Sequence, residues 1–509
     1  MPNEPNPINV KGFILCATCD SQAKCFFMRF KQWNGYYGCP RCKCPGVRIN
    51  LANNNNPLSG VQVYPYTRNL ILRTNEEVPH YARLARQTGH SVYGVKGPTL
   101  LYKMMPNMVL GSAIDKMHAV DIGACKLLTH LWFDKAFSDY DFSLSGLVEV
   151  VDQRLSKMKP PSFTQRVLRS SSKHLAFWKA QEFKMWLMYY AIPVLSGIMD
   201  EIYLNHLMKL VSALFLLDQE SVSPDQIDAA SLLLHEFVSN FADLYDIRFM
   251  SLNIHLLLHL PDVVRSLGPL WVYCCGPLED LNGKLGSLIH GTRHAGLQVC
   301  AGASAYMNLT IMVDRLPDGS PVRIFCENLT AFGLPLKKTE NILPKMDVIG
   351  KYRHARVVPA QVRLALRSCL NLAGVHVLFF QKFRKKGVMY CSEEYTRSAL
   401  RQSSYVVFVE NGFPKFCKIN FFVRWSDCQC VSSACRCLPA HFLCIATKYR
   451  REMWFGQTVE NVRLSYMSLV SQTHSVVAFP VRDLECLCFH IKVNHDEYLA
   501  QPINRLEVE

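Results

Sequence analysis

Cysteine and histidine pairs at metal-ligand spacing are the first residues of this sequence whose types could do chemistry. Cys39-Pro40-Arg41-Cys42 lies within Gly38-Cys39-Pro40-Arg41-Cys42-Lys43-Cys44-Pro45-Gly46. Two thiolates three positions apart in a Pro/Gly turn can share one tetrahedral ion, so the segment reads as a zinc knuckle. Two other pairs are able to complete the site. Cys16-Ala17-Thr18-Cys19 would make a four-cysteine ribbon by arithmetic, although residues three apart on a strand face opposite ways. His255-Leu256-Leu257-Leu258-His259 sets two imidazoles at i and i+4 on one helix face. The residues alone leave both pairs open. No Glu follows His255, which excludes a zinc protease of the His-Glu-x-x-His kind.

Carboxylates beside these groups suggest a second chemistry. Asp20 ends the first apolar stretch, and Glu279 sits in Cys275-Gly276-Pro277-Leu278-Glu279-Asp280, which reads as a helix start. A carboxylate at a strand end and another on a helix can converge on Mg2+ and orient a phosphodiester for in-line attack. Further on, Cys428, Cys430, Cys435 and Cys437 would share a face of a hairpin and offer a second zinc site. Lys382-Phe383-Arg384-Lys385-Lys386 reads as a basic patch for phosphate contact or nuclear import.

The elements that must position these groups fall into successive segments. Ile8 to Thr18 reads as a buried strand running to Asp20, and the first segment, 1–60, closes in the Asn/Pro/Gly-rich loop after Asn53. Residues 61–250 turn to helical period. Helices are expected over Arg73–Thr88 and Ile122–Phe133, and over a bipartite Phe177–Leu217 bent near Pro193. Ser223-Pro224-Asp225 marks the start of another, running to about Tyr245. Residues 251–330 hold the His pair and the Glu279 helix. A polar stretch, Pro317 to Lys351, reads as a linker to residues 340–509, where short β-rich runs (Ser404–Glu410, Phe416–Trp425, His441–Thr447) and turns such as Asn411-Gly412 predict a small β-barrel or sandwich.

Composition narrows the class. With 49% hydrophobic residues over 509 positions, the chain can offset its ordering entropy, so dominant disorder is excluded. Lys+Arg 56 against Asp+Glu 41 leaves a net charge of +15, which favours a polyanionic partner such as DNA. The apolar run Trp186–Met199 is too short for a bilayer, so no membrane partner is expected. Residues 1–9 carry no secretory h-region, which makes the cell interior the default and the 21 cysteines thiols or metal ligands.

Several segments together resemble the CACTA (En/Spm, Tnp2-type) transposases. They are Gly12-Phe13-Ile14-Leu15-Cys16, Trp33-Asn34-Gly35-Tyr36-Tyr37-Gly38-Cys39, Gly94-Val95-Lys96-Gly97-Pro98, Ile114-Asp115-Lys116-Met117-His118, Lys179 to Trp186 and His255 to Leu260. The resemblance implies an α/β, RNase H-like DDE/D core interrupted by a large helical insertion, a layout shared with the V(D)J recombinase. It implies a catalytic Asp some twenty positions before a zinc-binding Cys-x2-Cys, and a His pair about twenty before the catalytic Glu. Asp20 to Cys39 is nineteen positions and His259 to Glu279 twenty. Carried over, Asp20 and Glu279 are the Mg2+-binding catalytic acids, with Asp115 the rival for the former. Cys39, Cys42, His255 and His259 become one structural zinc site, with Cys44 as an alternative ligand and Cys16 and Cys19 as the competing pair. The family's first catalytic Asp has no counterpart, since residues 1–19 contain only Glu4 as an acid. A partial, N-terminally incomplete core is therefore expected: a nuclear, transposase-derived DNA-binding protein, able to self-associate but not to cut DNA alone.

Overall fold

The computed structural model describes residues 12–51, 59–330, 339–354, 360–370, 376–395, 400–426, 440–455 and 464–505. Its N-terminal part departs from the expected strand. Residues 12–20 run extended but join no sheet: Ala17 makes an isolated parallel bridge to Ser112, and Phe13 and Leu15 face solvent. The apolar character that suggested a buried strand is spent on a shallow contact. Asp20 caps helix Ser21–Phe27, its carboxylate accepting the Ala23 N–H at 2.6 Å. A hairpin, Val47–Asn50 with Gly60–Val63, then leads into the helical region.

That region builds the main apolar core. Helix Pro224–Tyr245 begins where Ser-Pro predicts, with Ser223 and Gln226 forming a capping box and Pro224 in the first turn. It packs along Glu201–Leu217. Pro193 lies within Ala191–Leu195, directly after a wide-turn stretch, Trp186–Tyr190. The helical stretch breaks just beyond it, at Ser196–Asp200, where Gly197 has a positive φ of 72° and Asp200 caps the next helix. The helix expected from Arg73 begins only at Glu77, because Arg73 is held extended by the knuckle.

A second wide-turn helix, Met117–Cys125, runs on into Lys126–Phe133. At Gly123 a Cβ would stand 2.7 Å from the Asn253 amide, so only glycine allows this helix to approach Leu252–Leu256, the segment carrying His255. Helix Ala295–Asp314 is long and apolar enough to cross a bilayer by length and composition, and its side chains are largely exposed. The apolar-run reading passed over it because Gln298, Ser304, Asn308 and Thr310 interrupt the pattern.

Residues 339–349 are not a linker. Strands Thr339–Leu343 and Met346–Ile349 form a four-stranded sheet with Lys382–Lys385 and Val388–Cys391. The larger, nine-stranded sheet is centred on Phe413–Ser426, Ala440–Phe455 and Leu464–Pro480. The first of these closes a hairpin with Tyr405–Glu410 through Asn411-Gly412, both at positive φ as a two-residue turn requires. The two sheets share one buried apolar cluster, with Phe383 and Tyr390 from the smaller and Phe408, Phe422 and Phe479 from the larger. The larger sheet also docks on the helices: Phe489 stacks on Tyr189 with centroids 3.9 Å apart, and Tyr466 joins the helical core.

Two buried titrating groups in the helical core oppose each other in acid. His206 stacks on Phe237, and burial lowers its pKa to about 4. An unfolded His binds its proton near pH 6.5, so acidification from 6.5 to 4 costs the fold up to about 3 kcal/mol. Burial raises Asp121 to about 6, so the folded state takes up that proton first and gains a comparable amount as pH falls from 6 to 4. The contributions of these two groups largely cancel between pH 6.5 and 4 in the parent, and each single variant uncovers the other. Asp121→Asn should lose about 3 kcal/mol across that window, and His206→Asn should gain. Urea titrations at several pH values measure this, and parallel curves for all three proteins would refute it.

Candidate metal centre

The knuckle is built by backbone pairing and close approach. Lys43 N–H donates to the Ile71 carbonyl at 2.8 Å and Arg73 N–H to the Arg41 carbonyl at 2.9 Å, so residues 41–43 run beside 71–73. The Arg73 guanidinium donates to the carbonyls of Cys39 and Tyr37, which fixes the turn from its other side. Tyr64 seats the loop: its hydroxyl accepts the Gly38 N–H at 3.2 Å and donates to the Gly35 carbonyl at 2.8 Å. A Cβ at Gly38 would fall 2.5 Å from that hydroxyl and 2.6 Å from the Gln32 carbonyl oxygen, so the residue before Cys39 has to be glycine. Tyr64 N–H also donates to the Met250 carbonyl at 2.7 Å, joining the hairpin to the chain just before the His pair.

His255 lies in the last turn of a short helix, Leu252–Leu256, and His259 ends the tight turn Leu257–His259. Their leucine neighbours are buried on the other side, so both imidazoles turn toward the knuckle. The four ligand atoms of Cys39, Cys42, His255 and His259 lie within 4.8 Å of one another, and all four residues are buried. His255 Nε2 stands 3.3 Å from His259 Nε2 and 3.2 Å from Cys42 Sγ. Two nitrogens at about 2.05 Å from a tetrahedral zinc ion stand roughly 3.3 Å apart, and a nitrogen and a sulfur roughly 3.6 Å. The cluster can thus hold a metal such as zinc, with four protein ligands and no open position.

Charge favours the same conclusion. Burial opposes ionisation of Cys39, yet the hydrogen bond with Cys42 and the imidazoles of His259 and His255 bring its pKa well below the ordinary thiol value. The Arg41 N–H, 3.4 Å from Cys39 Sγ, adds a donor to that sulfur. Cys42 is driven the opposite way by its hydrogen bond to Cys39 and by burial. Without a cation, only one of two adjacent buried thiols can ionise. A divalent ion would allow both.

A second cluster joins three distant segments. Asp115 Oδ1 accepts the Cys275 N–H at 2.7 Å, and Oδ2 accepts both the His118 N–H at 3.0 Å and an imidazole contact from Nδ1 at 2.6 Å. His118 Nε2 lies 3.4 Å from Glu279 Oε1, and Thr18 Oγ1 lies 3.4 Å from Cys275 Sγ. Hydrogen bonds to Asp115 and Cys275 raise His118 to about 10. Asp115 is lowered, the donors from His118 and Cys275 outweighing its burial. Asp115, His118 and Cys275 also sit close enough to suggest a metal. The 2.6 Å Nδ1–Oδ2 separation argues against it: neighbouring ligands stand about 3.3 Å apart on a tetrahedral ion and about 2.9 Å on an octahedral one, whereas 2.6 Å is a charge-assisted hydrogen bond. The cluster is a clamp.

Of the sequence candidates, Asp115 and Glu279 approach the same imidazole, while the Asp20 carboxylate is engaged as a helix cap. Both Asp115 oxygens are occupied by donors, and Glu279 is 56% exposed. As arranged, these acids do not present the oxygen-rich ligand set that Mg2+ takes. Cys16, Cys19 and Cys44 stand outside the four-ligand cluster. Cys428, Cys430, Cys435 and Cys437 lie outside the described residues. His118 and Cys275 are site residues to which the sequence pattern assigns no role. The signal was there, since His118 follows Asp115 at helical i+3 spacing. No known protein family and no curated protein matches this chain.

Proposed function

We propose that this chain is a transposase-derived, DNA-binding protein of CACTA type, nuclear in location. Its partial RNase H-like core is interrupted by the helical region and held closed by one structural zinc ion. The observation that carries the reading is the meeting of Cys42 with His255 across 213 positions, as part of the buried four-ligand cluster. Union of a knuckle with a His pair twenty residues before Glu279 is what the CACTA resemblance implies. The net charge of +15 supports a polyanionic partner. Cys39, Cys42, His255 and His259 would hold the zinc, which supplies folding energy and, lacking an open position, activates no water. The family's reaction is Mg2+-dependent cleavage and strand transfer. Here Asp20 and Asp115 serve as cap and clamp, so the reading is one of binding without cleavage.

Purified protein is expected to bind duplex terminal-inverted-repeat DNA with a log affinity that falls by about 0.9 per phosphate contact per log unit of salt. It should leave that DNA uncut in Mg2+ or Mn2+. Absence of binding at low salt would overturn the DNA reading. Cleavage that disappears in an Asp20→Ala, Glu279→Ala variant would overturn the non-cleaving part. A second reading, a zinc-stabilised interaction protein, draws on the exposed apolar helix Ala295–Asp314. Concentration-dependent self-association without DNA affinity would favour it.

A further inference from the structure

The two C-terminal sheets are joined by two crossovers lying beside each other. The chain passes from strand Met346–Ile349 through residues 350–352 to Arg353–His354, and back from His376–Phe380 through Gln381 to Lys382–Lys385. Ile349 pairs with Lys382 and Arg353 with Phe379, so both crossovers are held at the same seam. They line an open cleft of about 1240 Å³, including its mouth, with Glu394 and Tyr395 on the remaining wall. Lys351, Arg353 and Lys382 all border it.

Several cations of this unit are paired with acids: Arg384 with Asp347, Lys418 with Glu393, Lys448 with Glu410 and Arg505 with Glu485. Among the described residues the three cleft cations form no ion pair, and Glu394 is the one acid in the lining. Of the basic run 382–386, only Lys382 is directed to the cleft, since Arg384 is paired and Lys385 Nζ caps the carbonyls of Arg482 and Leu484. The aromatic walls are ordered. Tyr352 donates its hydroxyl to Glu340 at 2.7 Å and packs edge-on to Phe380, while Lys382 Nζ lies 5.1 Å from the Tyr395 ring centroid.

Unneutralised cations spaced along a groove, together with an aromatic ring inside it, suit a backbone of phosphates whose bases are free to stack. Paired bases in a duplex keep their faces covered, so the tyrosine favours an unpaired strand. We propose that this cleft binds single-stranded nucleic acid, with phosphates on Lys351, Arg353 and Lys382 and a base against Tyr395. The proposal rests on the DNA-binding reading above but concerns a surface remote in sequence from the metal centre.

The test measures fluorescence anisotropy of the full chain with a 20-nucleotide single strand and with duplex, across a salt series. Lys351→Gln/Arg353→Gln/Lys382→Gln should weaken single-strand binding about tenfold or more and flatten the salt slope by about 2, at roughly 0.7 per contact. Tyr395→Ala should weaken it about fivefold or more with the slope unchanged. Zinc content and melting temperature should stay at parental values in both, and Lys415→Gln outside the cleft should bind as the parent does. Parental affinity and slope in the triple variant would overturn the cleft while leaving the DNA reading intact. Equal loss on duplex and single strand with Tyr395→Ala neutral would overturn the single-strand assignment. Failure of the parent to bind either nucleic acid would overturn both readings.

Discussion

Replacing His255 with Ala, or Cys42 with Ser, is expected to remove one equivalent of zinc from the purified chain and to lower its melting temperature by roughly 10 °C or more. An ion held by the four ligands would tie the turn at Cys39–Cys42 to the His pair, and those segments share the core with the helical region. Structural zinc in peptides contributes about 10–16 kcal/mol of apparent binding free energy, which a zinc bound here would put into folding. The surviving ligands would be left buried without partners, at about 1–3 kcal/mol each. A net loss near 5 kcal/mol at about 2–4 °C per kcal/mol gives the stated shift. Metal analysis by plasma emission and a thermal melt measure both. Cys16→Ser, Cys19→Ser and Cys44→Ser should keep the ion. Full zinc in His255→Ala, with loss in the Cys16 or Cys19 variants, would move the site to the upstream pair.

That centre was legible because its ligands come as two local pairs, each carrying its spacing in the sequence. The choice between Cys16/Cys19 and His255/His259 was not, since it depends on a contact across 213 positions that no local pattern records. Helix starts with chemical caps, such as Ser223-Pro224, read correctly. Residues 12–20 did not, because β-branched and apolar composition describes a strand's preference and not whether a neighbour exists to pair with it. Arg73 fits a helical pattern by type but is taken by the carbonyls of Cys39 and Tyr37. Strand Thr339–Leu343 was hidden by its largely exposed residues, and Met346–Ile349, whose Val348 and Ile349 are buried, by its shortness. The clamp escaped for a different reason: Asp115 was weighed as a catalytic acid, while the donors that occupy it come from its own turn and from residue 275.

Lys116→Met is expected to destabilise the protein by about 3–5 kcal/mol. Lys116 Nζ lies 3.0 Å from Asp218 and 4.0 Å from Asp121, and all three side chains are buried. Removing the cation leaves two carboxylates facing each other in the interior, with only the more remote Lys184 charge acting on Asp121. Such a triad need not stabilise the fold in total; its fragility lies in being broken one member at a time. Lys116→Met combined with Asp121→Asn and Asp218→Asn should therefore recover more than half of the loss. Urea denaturation of the single and triple variants measures this. A single variant within about 1 kcal/mol of the parent, or a triple variant less stable than the single, would show that the three charges are not coupled.

The 213-position interval between Cys42 and His255 also sets a clock on the birth of the protein. A ribosome adding roughly 5–20 residues per second makes the histidines some 10–40 s after the knuckle cysteines. Throughout that interval Cys39 and Cys42 emerge as an unshielded dithiol, able to chelate or oxidise but not to complete a tetrahedral site. The helices in between must collapse and deliver the imidazoles before the ion can be locked in. Any metal the four residues hold can thus be captured only late in synthesis, and the order of the ligands along the chain makes it so.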